Sequence, residues 1–146
     1  FFENPKKLLC IISAMNLIKI LTAESQSNIK IYELIIDFYR LLSEENWIKN
    51  YIYWEMELFK NLGYDLVFED LVDKKIIDNN IRYFVKSSSE KKIIPNFLID
   101  KSQDSENLLT LLNGLKIVGD YLDKTILKPN NLTQPISRLQ FINTLK

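Results

Sequence analysis

The sequence predicts a mainly α-helical bundle of about five to six helices, with a small irregular or β insertion after the third helix. Three observations carry this expectation. Apolar residues recur at a 3.6-residue period in several long segments. Capping residues and helix breakers bracket those segments. Between residues 66 and 100 the helical period disappears and β-forming residues gather at 81–85. A chain of 146 residues suits one domain, 1–146, with 66–100 as its insertion.

Asn4-Pro5 is a preferred cap residue followed by proline at the first helical position, so a helix starts there. Leu8, Ile11, Ile12, Met15 and Ile18, with Leu17 or Leu21, then recur at helical spacing, which predicts a central helix. A polar link over 23–27 follows, and Ser27 or Asn28 can cap a second helix running to about 42. Ser43, followed by Glu45, restarts the chain as a third helix over 45–62. Its residues Trp47, Tyr51, Trp54, Leu58 and Leu62 fall on one face, which should be buried. Gly63 can take the left-handed conformation that other residues enter only at a steric cost, and it ends this helix.

In the insertion, 81–85 is the best strand candidate, with 66–68 as its expected partner. A polar loop at 87–91 follows, and Pro95 opens a short segment bearing Phe97 and Leu98. Residues 102–105 offer a cap for a long helix through Leu108, Leu111, Leu112, Leu115, Val118, Leu122 and Ile126, interrupted by Gly114 and Gly119. Close helix packing and a small bend both account for Gly119. After a loop at 129–134, Pro135 starts a terminal helix with Ile136, Leu139, Ile142 and Leu145 as its apolar positions. There is no internal repeat and no low-complexity tract.

Composition excludes much chemistry. The chain has no histidine and one cysteine, so a histidine-based dyad or triad and a structural zinc site, which needs about four Cys or His ligands, are both ruled out by count. No glycine-rich phosphate cradle exists. Carboxylates at Glu55 and Glu57, Glu69 and Asp70, and Asp120 and Asp123 are expected to be solvated faces, and Cys10 a small core residue. We therefore expect no enzyme, no cofactor and no metal. No apolar run approaches the roughly 20 residues of a membrane span; the longest, 8–21, is broken by Ser13, Asn16 and Lys19. A signal-peptide pattern is not evident, and one cysteine fits a reducing cytoplasm.

Formal charge is zero, but 44–78 is acidic and 82–101 basic. A neutral domain should bind DNA weakly by itself, because nonspecific affinity comes from neutralising phosphates. Arg82, Lys86, Lys91 and Lys92, near Tyr83 and Phe84, form the candidate nucleic-acid contact, against the alternative of a solvated loop. Trp47, Tyr51, Tyr53 and Trp54 could stack bases, but their shared stripe and the few cations among them favour the core, with Tyr53 the most exposed.

Several segments resemble the bacterial DNA repair protein RecO family, in the same order along nearly the whole chain. Residues 56–66, ending Leu62-Gly63-Tyr64-Asp65-Leu66, resemble its "F-x-L-x-L-L-x-x-L-G-Y-x-L" segment. Residues 12–18 resemble the first helix after the family's N-terminal module, and 31–38 its "L-F-x-L-L-x-x-L" helix. Residues 92–98 resemble "K-L-L-x-L-P-x-F-L"; 115–122 and 134–138 resemble the C-terminal pair "L-R-L-T-G-x-F-L" and "L-P-x-A-R". The chain departs from the family in three ways. Nothing reads as the N-terminal oligonucleotide-binding barrel, so a C-terminal region or truncated frame is expected. The family's four-cysteine zinc site is missing, with Asp70 or Leu71 where its first cysteine would fall. Ile81 to Ser87 lacks the proline and glycine of "Y-V-S-P-K-S-G".

The resemblance implies a cytoplasmic, nucleoid-associated, non-enzymatic mediator of DNA recombination and repair. Its implied partners are RecR, single-stranded DNA and the acidic tail of single-strand binding protein, with annealing and recombinase loading as the outcome. An acidic, aromatic-ended tail needs an apolar pocket with a cation at its rim; Arg40 beside Phe38 and Tyr39, or Lys60 beside Phe59, are the candidates. The alternatives are a helical interaction domain with no DNA role and a degenerate truncated member of the family.

Overall fold

The computed structural model describes residues 4–22, 29–64, 66, 68–86, 93–101 and 107–146. The caps expected at Ser27 or Asn28 and at 102–105, Val67, the side chain of Glu69, the loop at 87–91, and Lys91 and Lys92 lie outside them. Among the described residues, five α-helices and a three-stranded antiparallel sheet follow in the order α1 (Pro5–Leu21), α2 (Ile29–Leu41), α3 (Trp47–Asn61), β1 (Val72–Ile77), β2 (Asn80–Val85), β3 (Ile93–Ile94), α4 (Leu108–Leu122) and α5 (Ile136–Leu145). The mainly helical class and the insertion after the third helix are as the sequence predicts.

Asn4 caps α1 as expected, its side-chain oxygen accepting from the backbone N–H groups of Lys6 and Lys7. Gly63 ends α3 at φ +92°, with its N–H on Lys60 O and the Tyr64 N–H on Phe59 O. That pair of bonds is a Schellman cap, which satisfies carbonyls that a helix end would otherwise leave orphaned. Asn107 caps α4 by accepting from Thr110 N.

Three elements differ from the sequence-based expectation. The partner of β2 is β1, in the register Val72↔Val85 to Ile77↔Asn80, and Phe68–Leu71 forms a 3-10 turn. The reason is the two-residue turn Asp78-Asn79, both left-handed at φ 52° and 63°, which closes a tight hairpin; Asn and Asp are the non-glycine residues that best tolerate that region. The long helix leaves α geometry after Leu122, passing through a π-helical turn, Asp123–Leu127, and a 3-10 turn, Lys128–Asn130, to left-handed Asn131. In α5 the inward residues are Ser137, Arg138, Phe141, Ile142 and Leu145, whereas Ile136 and Leu139 face solvent.

One core unites the bundle: Cys10, Ala14 and Leu17 of α1, Leu34, Phe38 and Leu41 of α2, Tyr51, Ile52, Trp54 and Leu58 of α3, Leu115 and Val118 of α4, and Phe141 of α5. Tyr51 stacks on Trp54 with ring centroids 5.8 Å apart and meets Phe141 edge-on at 5.4 Å. The aromatic stripe of α3 is thus core. Tyr53, expected to be the exposed member, is half-buried: its hydroxyl donates to Phe97 O at 2.7 Å. Gly114 and Gly119 are both sites of close approach. A Cβ on Gly114 would lie 2.5 Å from Phe97 Cζ, and one on Gly119 2.6 Å from Arg138 Nη1.

Candidate nucleic-acid and peptide interface

The pleat of the sheet sorts its side chains by parity. Val72, Tyr83, Val85 and Ile94 pack toward the helices. The opposite face carries Asp73, Lys75, Arg82, Phe84 and Ile93, because directly paired residues of antiparallel strands share a face. Lys75 and Arg82 stand directly opposite each other in that register. Like charges so placed repel, and an anion between them would relieve the repulsion. Lys75 Nζ also lies 5.3 Å from the Phe84 ring centroid.

Arg82 has a second role. With Ile93, Ile94, Pro95, Asn96, Asn107, Leu109, Thr110 and Asn113 it lines an open groove of about 440 Å³ between the sheet and the first turns of α4. Asn96 Nδ2 donates to Ile81 O at 2.9 Å, tying the strand that bears Arg82 to the groove wall. The groove therefore combines a cation, side-chain amides and exposed aliphatic carbon at Ile93 and Leu109.

Of the other residues singled out from sequence, Lys86 is exposed just past β2, its backbone N–H on Leu71 O, while Lys91 and Lys92 lie outside the described residues. Phe38 and Phe59 are core rings, so neither walls a surface pocket. Tyr39, Arg40 and Lys60 are exposed, and Arg40 lies 3.7 Å from Asp37. Among the described residues no group of His, Cys, Asp and Glu could hold a metal ion, and no helix is long and apolar enough to cross a membrane.

Glu55, expected on a solvated face, is instead fully buried and paired with Arg138, also buried. Arg138 Nε and Nη2 donate to the two Glu55 oxygens at 2.9 and 2.8 Å, Nη2 also to Leu115 O, and Nη1 to Gln134 Oε1. Burial alone would lower the guanidinium's hold on its proton, but the Glu55 charge and hydrogen bonds outweigh it and the net shift is upward. Burial, then the Glu55 charge, pushes the Cys10 thiol and the Tyr51 hydroxyl well above their ordinary values. Cys10 is thus an inert buried thiol. The sequence signal at Arg138 was its place as the last residue of the 134–138 segment that resembles "L-P-x-A-R"; its inward direction was not legible there, because Ile136 and Leu139 were read as the apolar positions.

Residues 3–110 match the family model described as recombination protein O C terminal. A curated DNA repair protein RecO of Rhodospirillum centenum (strain ATCC 51521 / SW) is 21% identical over 155 residues, which cover 97% of this chain and 61% of that relative. The chain thus spans about 61% of the length of the relative it matches. No solved structure matches it significantly.

Proposed function

This chain belongs to the recombination protein O C-terminal family, a DNA repair and recombination family, and from that premise we propose that it is a non-enzymatic recombination mediator of the cytoplasm and nucleoid. It binds the acidic, aromatic-ended tail of single-strand binding protein, works with RecR, and contacts single-stranded DNA. These contacts promote annealing and recombinase loading.

The observation that carries this reading is the double position of Arg82, on the outward hairpin face opposite Lys75 and at the wall of the groove. A peptide ending in an aromatic residue and a carboxylate needs apolar surface for the ring and a cation for the acid. Ile93 and Leu109 supply the first and Arg82 the second. Lys75, Arg82, Lys86 and the Phe84 ring are the combination that single strands use, cations for phosphates beside an aromatic face for a base. Tyr39 with Arg40, and Lys60, remain secondary candidates for the peptide, without the aromatic wall that Phe38 or Phe59 would have provided.

Fluorescence anisotropy with a labelled single-strand binding protein tail tests the proposal. Binding that saturates, disappears when the terminal phenylalanine is removed, and weakens about tenfold in Arg82→Ala supports it. A folded chain that ignores the peptide at low salt would instead favour a helical interaction domain without this role.

A further inference from the structure

The outward face of the hairpin and the groove are not separate surfaces. Arg82 and Ile93 belong to both: each stands on the face that carries Lys75 and Phe84, and each lines the groove. We infer that the chain holds single-stranded DNA and the acidic, aromatic-ended peptide one at a time, the two exchanging at Arg82. This exclusion rests on the proposed function and adds an order of events to it. A chain brought to DNA on the peptide must let go of the peptide to grip the strand.

Charge and position both enforce the exclusion. Among the described residues that line the groove, Arg82 alone is charged; the others offer side-chain amides, a hydroxyl and hydrocarbon. A peptide carboxylate seated there has no other cation in the groove, and it takes up the planar guanidinium fork that a phosphate would use. Arg82 Nη1 donates to Ile81 O at 3.2 Å, the same carbonyl that accepts from Asn96 of the groove wall, so the guanidinium rests at the boundary of the two surfaces. A strand stacked on Phe84, with its phosphates between Lys75 and Arg82, draws that group to the outward side. The strand also lies over Ile93, which stands directly opposite Phe84 at the rim of the groove. Two anionic ligands brought to one cation repel each other as well. The exchange is asymmetric: DNA that gives up Arg82 keeps Lys75 and Lys86, whereas the peptide keeps only apolar contact at Ile93 and Leu109.

Anisotropy of a labelled oligothymidylate on the full chain, titrated with unlabelled tail peptide, tests the exclusion. The peptide should return the signal to that of free DNA, and the apparent Kd for DNA should climb in proportion to the peptide without a ceiling. A peptide lacking its terminal phenylalanine should be about tenfold less effective, since the ring anchors it. Leu109→Ser, which loosens the peptide, should raise the amount needed several-fold, and Lys75→Ala, which loosens the strand, should lower it. A ceiling in the apparent Kd, with energy transfer between labels on the two ligands in a ternary complex, overturns the inference and leaves the proposed function standing. Equal displacement by the two peptides overturns it too, because general charge competition then suffices. A folded chain that in direct titrations binds only one of the ligands, or neither, removes the proposed function and the exclusion with it.

Discussion

Arg138 and Glu55, 83 residues apart in sequence, form a bidentate ion pair inside the bundle, with N–O distances of 2.8 and 2.9 Å and both side chains shut off from water. It joins α5 to α3, and through Leu115 O it also fastens α4.

Removing one partner strands a buried charge, which typically costs about 3–5 kcal/mol, whereas replacing both with apolar residues of similar volume is often neutral or stabilising. Arg138→Met and Glu55→Leu should each lower the urea midpoint sharply at an unchanged slope. The double variant should recover most of the loss, a coupling that a double-mutant cycle measures directly.

Gly119 makes room for this pair. Gly119→Ala brings a methyl against Arg138 Nη1 and Gln134 Nε2, and overpacking of this kind costs about 1–3 kcal/mol. In an Arg138→Ala background the same substitution should cost far less, as thermal unfolding of the four chains would show. Gly63→Ala has open space around it but a left-handed backbone, so its cost should be about 1 kcal/mol, independent of Arg138.

Cys10 and Tyr51 keep their protons in the folded chain beyond the ordinary values of 9.0 and 10.0. The unfolded chain releases them at those ordinary values, so above them the unfolded state binds fewer protons and stability falls as pH rises. It should be complete below about pH 9 and decline above it. Urea unfolding followed from about pH 8 to about pH 11 should show this decline, and Tyr51→Phe should flatten its upper part.

Lys75→Ala and Arg82→Ala should weaken single-strand binding uniformly across sequences. Each should also reduce the slope of log affinity against log salt by about 0.7, the share of one neutralised phosphate on a single strand. Phe84→Leu should cost affinity through lost stacking with little change in slope.

What could be read from sequence was what is recorded locally. Asn4-Pro5 and Leu62-Gly63-Tyr64 declared the start of α1 and the end of α3, and the α3 stripe declared its buried face. Glu55 was read as solvated although it stands four residues after Tyr51 and three before Leu58, on the buried stripe itself; what the sequence near it does not record is the partner that permits this, 83 residues on. The hairpin register was missed by one signal, Asp78-Asn79, a turn pair without the glycine that usually marks it. In α5, Ile136 and Leu139 suggested an apolar face, but Arg138 claims the inward direction and rotates them to solvent. Arg82 was legible as a cation beside aromatics. The groove it lines was not, because its other wall comes from the start of α4, far along the chain.

The first helix is finished by the last. α1 packs along α5, and Asn16 donates to Ser137 Oγ at 2.8 Å across 121 positions. During synthesis, then, α1 leaves the ribosome with its main docking surface not yet made, and Glu55 follows without its counter-charge. A stop codon between Leu122 and Arg138 would release a chain with four of these five helices and no way to close. Premature termination late in this reading frame should yield protease substrates rather than shortened working proteins.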